Sequence, residues 1–215
     1  GRLLGGIDSP ADLRALPRDQ VEQVANEIRD EILEQVSQTG GHLASSLGAV
    51  ELITAIHYVF DTPRDRLVLD VGHQGYPHKM LTGRRTEFDR IGQVDGISKF
   101  LRRSESEYDH FGAGHAGTSI SAALGMARAR FHRGEDGLVI ALIGDGAMTA
   151  GMAFEALNHA GHLQERNLIV VLNDNEMSIS PNVGAMSSYL SRKMSAPMVR
   201  RMKGWAKEFL ESLPG

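Results

Sequence analysis

The stretch LVIALIGDGAMTAGMAFEALNHAG, residues 138–161, followed by LIVVLNDNEM, residues 168–177, decides the fold of this chain. Two short apolar runs, Leu138 to Ile143 and Leu168 to Leu172, read as buried strands, with a helical stretch between them. Strand, crossover helix and strand make a βαβ unit, which places the chain in the α/β class. Loops at the carboxyl ends of parallel strands are where open α/β sheets bind ligands. Asp145, past the first strand, and Asn175, past the second, are therefore expected to converge on one crevice.

An aspartate carboxylate, an asparagine amide oxygen and a nearby main-chain carbonyl suit a hard divalent ion. Mg²⁺ completes its shell of six oxygens from water and phosphate. Gly146 and Ala147 are expected to open the following helix, whose unpaired N–H groups and positive dipole end favour a phosphate. The pattern reads as a Mg²⁺-diphosphate site. The plainer alternative is a glycine-rich turn and an ordinary polar loop.

Working outward, residues 66–71 read as a short strand whose end delivers Gly72-His73. Upstream, Ser9-Pro10 is a helix start, a cap followed by proline. A longer helix from Pro17 carries Val21, Val24, Ala25, Ile28, Ile32 and Val36 at helical spacing and should stop at Gly40-Gly41. Residues 49–60 read as a second helix, nearly apolar all round and so expected to be buried. Residues 86–109 are polar and irregular, with one short helix at most, and loops of that length are usually functional or mobile. The turn GAGHAG, residues 112–117, feeds a small-residue helix from Thr118 to about Arg130. Pro181 and Gly184 mark a further loop, and residues 198–213 read as a surface helix with Trp205, Phe209 and Leu213 on one face.

With 215 residues, 41% hydrophobic and 23% charged, the chain suits one soluble α/β domain with a sizeable core. A formal charge of −4 and scattered basic residues leave no footprint for nucleic acid. No apolar run approaches a membrane span, and the first residues lack the pattern of a signal peptide, so a cytoplasmic location is expected. The absence of cysteine excludes disulfides and thiol catalysis.

GDG followed at this distance by an asparagine resembles the signature of thiamine-diphosphate enzymes. The longer strings GDGAMTAGMAFEALNHAG (144–161) and NDNEMSIS (173–180) are similar to those of the 1-deoxy-D-xylulose-5-phosphate synthase family, which is transketolase-like. So are GGHLASSLG (40–48), DVGHQGYPHKMLTGRR (70–85) and SESEYDHFGAGHAGTSISAALGMA (104–127), in order along the chain. The likeness covers almost the whole sequence. It implies the thiamine-diphosphate-binding fold, a central, mostly parallel sheet flanked by helices. Residues 1–215 then form a single diphosphate- and Mg²⁺-binding domain, with an N-terminal helical segment over 8–39. The family's pyrimidine-binding and C-terminal domains are expected to lie outside this chain.

The resemblance also implies roles. Asp145, Asn175 and the main chain of Met177 hold Mg²⁺. His73 and the turn Gly114-His115-Ala116 contact the diphosphate side of the cofactor, as do Gly146, Ala147 and Asn175, while His42 faces the thiazolium and the substrate. Among nine histidines, those at 42, 73 and 115 stand out because glycine precedes each, and glycine permits a turn that sets an imidazole at a loop tip. His78 either belongs to the site or merely starts a helix, and Ser45 and Ser46 either donate hydrogen bonds in the crevice or cap a helix. Ala116 and Gly117 stand where the family commonly carries serines, which removes a hydroxyl donor. The implied reaction is thiamine-diphosphate-dependent condensation of pyruvate with D-glyceraldehyde 3-phosphate, giving 1-deoxy-D-xylulose 5-phosphate and carbon dioxide for isoprenoid, thiamine and pyridoxal synthesis. The glutamate that activates the cofactor comes from the family's second domain, and Glu155 is not that residue. Half a catalytic site is therefore expected here, in a homodimer once the remaining domains are supplied by a longer chain or a separate subunit. Two alternatives are a subunit of a split transketolase-like ketol transferase and a non-catalytic cofactor-binding module.

Overall fold

A computed structural model describes residues 1–174. Three strands, β1 (Arg66–Leu69), β2 (Val139–Gly144) and β3 (Leu168–Asn173), pair in parallel in the order β1-β2-β3. The register sets Leu67, Ile140 and Ile169 in one row and Leu69, Leu142 and Val171 in another. Residues two apart on a strand share a face, so both rows face the same way, and all six join the main apolar core. That core is completed by the N-terminal helices α1 (Pro10–Arg14), α2 (Val21–Thr39), α3 (Leu43–Leu47) and α4 (Val50–Val59). The short α5 (Tyr76–Lys79) follows β1. Helix α6 (Ser119–Arg133) crosses from β1 to β2 and packs on β2, and α7 (Gly151–Leu163) crosses from β2 to β3 and packs on α6.

The apolar stripe of α2 is buried as its spacing requires: Val24, Ile28 and Ile32 are fully enclosed, each contributing about 1.5–3 kcal/mol by burial. The helix ends at Gly40, whose φ of +66° breaks the helical path. Ala123 and Ala127 on α6 are likewise enclosed, and their small side chains let the helix lie close to the sheet. The α/β class and the parallel, helix-flanked sheet are thus as read. No helix among the described residues is long and apolar enough to cross a membrane.

Several local readings need correction. The first strand stops at Leu69 rather than Val71, because Val71 takes a left-handed φ of 58° and turns the chain. Helix α4 is not buried all round: Ala55 is exposed and Val59 is 68% exposed. Gly146 and Ala147 do not open a long helix. They form a single 3-10 turn, Ala147–Thr149, after which Ala150 is extended and α7 starts afresh at Gly151. A turn of three residues has no appreciable dipole, so any phosphate affinity there comes from individual amides. The irregular reading of residues 86–109 holds, with a 3-10 segment Arg85–Arg90 as its one helical piece. Asn175, Met177, the loop at Pro181 and Gly184 and the helix expected over residues 198–213 lie outside the described residues.

Candidate functional site

The strands deliver three polar residues to one edge of the sheet. Asp70 follows β1, Asp145 follows β2, and Asn173 ends β3, paired across the ladder with Gly144. The amide of Asp145 donates to the carbonyl of Asn173 at 3.2 Å. The Asn173 side chain reaches the Gly48 carbonyl at 3.4 Å, tying the end of β3 to the turn between α3 and α4.

Asp70 organises this edge, a role that reading the sequence missed. Its buried carboxylate accepts from the amide of Gly117 at 2.8 Å and of Ser119 at 3.0 Å. Hydrogen bonds to a charged group are worth about 1.5–3 kcal/mol each, so the 114–119 segment is pinned to the end of β1. Gly117, at φ +82°, also lies against the segment after Asp145, where an added Cβ would come within 2.5 Å of that of Ala150. A side chain at this position would therefore require the segment at Ala150 to shift. The end of β1, the Gly114-His115-Ala116 turn and the Asp145-Gly146-Ala147 turn therefore meet. Gly114, His115 and Ala116 are exposed, and no acceptor among the described residues takes the amides of His115 and Ala116.

His42 and His73 come together beside this edge. Their ring centroids are 5.8 Å apart, nearly perpendicular. Gly41 lies against Tyr76, where a Cβ would clash with the hydroxyl, and the amide of His42 donates to that hydroxyl at 3.3 Å. Ser46 donates to the carbonyl of His73 at 3.1 Å and Ser45 at 3.4 Å. Both serines sit inside α3, so they are not caps; they hold the backbone of His73. Burial and the neighbouring His42 hold the His73 imidazole below its ordinary pKa, only partly opposed by Asp70. Its Nδ1 is buried without a hydrogen-bond partner among the described residues.

His78 has a different role. It is fully buried in a polar chain: Thr62 Oγ1 to His57 Nδ1 at 2.9 Å, His57 Nε2 to His78 Nδ1 at 2.9 Å, and His78 Nε2 to Asp109 Oδ1 at 3.0 Å. An ionised carboxylate only accepts, so His78 carries its proton on Nε2, His57 carries its own on Nε2, and the Thr62 hydroxyl donates to His57. Burial raises the pKa of Asp109, but bonds from His78 and Arg84 outweigh it and keep the group ionised. Burial pushes His78 down to about 4 and His57 well below its usual value, so both rings are neutral near pH 7. Arg84 forks onto Asp109 at 2.8 and 2.9 Å and also meets Glu105 at 2.8 Å, and the buried Lys79 pairs with Glu105. Spacing in the sequence offered no signal for this network: His57–Thr62 apart, its links join residues 21 to 31 positions apart.

The crevice suits an anion beside a hard cation. The Asp145 carboxylate, the amides of His115 and Ala116, and the buried Nδ1 of His73 are donors and acceptors of the right type. Among the described residues no group of three or more His, Asp or Glu gathers as a metal site, and Asp145 is the one expected Mg²⁺ ligand within them.

The model for the family described as 1-deoxy-D-xylulose-5-phosphate synthase matches residues 4–215. A protein of that name from Desulfotalea psychrophila is 61% identical over 209 residues, covering 97% of this chain and 32% of that protein. "1-Deoxy-D-xylulose-5-phosphate synthase 1" of Geobacter sulfurreducens is 60% identical over 212 residues, 99% of this chain and 33% of that one. The chain spans about a third of the length of these relatives. Among solved structures, transketolase from Campylobacter jejuni aligns with a TM-score of 0.71 at 21% identity, over 79% of this chain and 30% of that one. Transketolase from Leishmania mexicana aligns with a TM-score of 0.69 at 23% identity, over 80% and 30%. At such identities the likeness establishes the fold alone.

Proposed function

The chain belongs to the 1-deoxy-D-xylulose-5-phosphate synthase family, and from that premise we propose that residues 1–215 are its diphosphate- and Mg²⁺-binding domain. The complete enzyme is a transferase of ketone groups. It condenses pyruvate with D-glyceraldehyde 3-phosphate to 1-deoxy-D-xylulose 5-phosphate and carbon dioxide, for isoprenoid, thiamine and pyridoxal synthesis, and it acts in the cytoplasm as a homodimer completed by further domains. The observation that carries the reading is the meeting of the three segments at the carboxyl edge of the sheet, through Asp70 on Gly117 and Ser119 and through Gly117 on Ala150.

Thiamine diphosphate, when bound, would supply a nucleophilic carbon and an electron sink for decarboxylation of a 2-oxo acid. The protein positions and polarises. Asp145, with Asn175 and the Met177 carbonyl, would hold Mg²⁺. Amides of His115, Ala116, Gly146 and Ala147 and the His73 ring would bind the diphosphate. His42, exposed and beside His73, takes up or returns a proton at the substrate side.

The test is Asp145→Asn in the complete protein, which keeps the size of the ligand and removes its charge. Titration of thiamine diphosphate at fixed Mg²⁺ should show affinity falling tenfold or more, since even an outer-shell partner of a metal is worth that much. Unchanged affinity would remove Asp145 from the metal and end this reading of the motif.

A further inference from the structure

Residues 91–113 contain no α-helix or strand, yet the tripeptide Lys99-Phe100-Leu101 within them is anchored on both sides. Before it, the amide of Ser98 donates to Glu105 Oε2 at 2.8 Å. After it, the amide of Arg102 donates to Asp109 Oδ2 at 2.8 Å. Each carboxylate is held in turn by Arg84, with Lys79 on Glu105 and His78 on Asp109. Burying so many charges is expensive, and apolar residues of similar volume would stabilise a core at least as well. What the charges add to the apolar anchors Ile91, Ile97 and Leu101 is a defined path for the backbone between Ser98 and Arg102.

That path fixes two side chains. Leu101 is buried against Gly75 and Gly72; a Cβ on Gly75 would lie 2.7 Å from Leu101 Cδ1. Phe100, half-buried, presents its ring to His42 with centroids 5.7 Å apart and planes inclined at 55°. No hydrogen bond reaches the His42 ring among the described residues; its only recorded ring neighbours there are His73 and Phe100.

We propose that Phe100 is a positioning residue, which holds the His42 imidazole at the angle its proton transfer requires. Glu105 and Asp109 act one step further back, by fixing the loop that carries Phe100. The inference rests on the assignment of His42 to the substrate side. Losing the aromatic wall lets the imidazole rotate about its two side-chain torsions, and small displacements of a catalytic group are costly in rate.

The experiment is a double-mutant cycle in the complete enzyme with Mg²⁺ and thiamine diphosphate. Phe100→Ala should lower kcat about tenfold, with cofactor affinity held within about twofold, whereas Phe100→Leu, which keeps most of the apolar volume, should recover most of the rate. Phe100→Val should fall between them, so the series stays readable if the alanine variant does not fold. In a His42→Ala background the Phe100→Ala change should cost less than about twofold, because residues acting through one another are not additive. In the cofactor-free protein, the Overhauser contacts between the His42 and His73 rings, whose centroids are 5.8 Å apart, should weaken in Phe100→Ala and persist in Phe100→Leu. Equal cost in both backgrounds, or His42–His73 Overhauser contacts unchanged in Phe100→Ala, overturns the proposal and leaves the function of the site standing. Wild-type turnover in His42→Ala alone overturns the assignment of His42 and this proposal with it.

Discussion

His42 and His73 sit side by side, but their surroundings give them different chemistry. His42 is exposed and belongs to a turn that glycine makes possible at Gly41. His73 is half-buried, its carbonyl is held by two serines, and its Nδ1 is aimed at no protein partner among the described residues. A side chain held that firmly with one unsatisfied atom suits ligand binding, whereas an exposed imidazole suits proton transfer. His42→Ala in the complete enzyme is therefore expected to lower turnover by about 10²-fold and leave cofactor affinity nearly unchanged. His73→Ala should chiefly raise the Kd for thiamine diphosphate, by about tenfold for one lost hydrogen bond to a charged group. Steady-state kinetics and cofactor titration on the two variants separate these outcomes; equal effects on both parameters in both variants would mean that the two rings share one role.

At the scale of elements, α4, α5 and the irregular segment after it are joined by the chain Thr62, His57, His78 and Asp109 rather than by apolar contact alone. This joint carries a pH dependence. Burial lowers the folded-state pKa of His78 from 6.5 to about 4, and that of His57 falls in the same direction. Below pH 6.5 the unfolded chain therefore takes up protons that the folded protein refuses. Stability is present above that pH and is lost as pH falls toward 4, where His78 protonates in the folded state too. Each such histidine contributes a slope of about 1.4 kcal/mol per pH unit within the window. Urea unfolding at pH 7.5 and pH 5 should show the midpoint falling at the lower pH. His78→Gln, although less stable at pH 7.5, should show a shallower fall. An equal pH slope in the two proteins would remove His78 from the transition.

Across the whole molecule, the described residues bring three segments together at the carboxyl edge of the sheet. The chain spans about a third of the length of its relatives, and the glutamate that activates the cofactor is expected, from the family resemblance, in a domain outside residues 1–215. A protein consisting of residues 1–215 alone is expected to release no carbon dioxide from pyruvate in the presence of D-glyceraldehyde 3-phosphate, Mg²⁺ and thiamine diphosphate. Measurable weak cofactor binding is compatible with that outcome. Robust turnover by this piece would refute the division of the site between domains.

The runs read at 66–71, 138–143 and 168–172 fall on the three strands of the sheet, because a short buried strand needs only a local run of β-formers bounded by turns. The stripe on α2 and the Gly-His turns are equally local, and so were legible. The roles of Asp70, Tyr76 and Phe100 were not. Asp70 meets amides 47 and 49 residues away, Tyr76 meets the amide of His42 across 34 residues, and Phe100 reaches His42 across a loop without periodicity. Nor could spacing foretell that Val71 would turn left-handed or that Ala150 would interrupt the helix after Asp145. Hydrogen bonds and ring contacts between distant residues depend on how elements stack, and a polar residue in a sequence carries no mark of which distant amide it will meet; only the tertiary structure decides that.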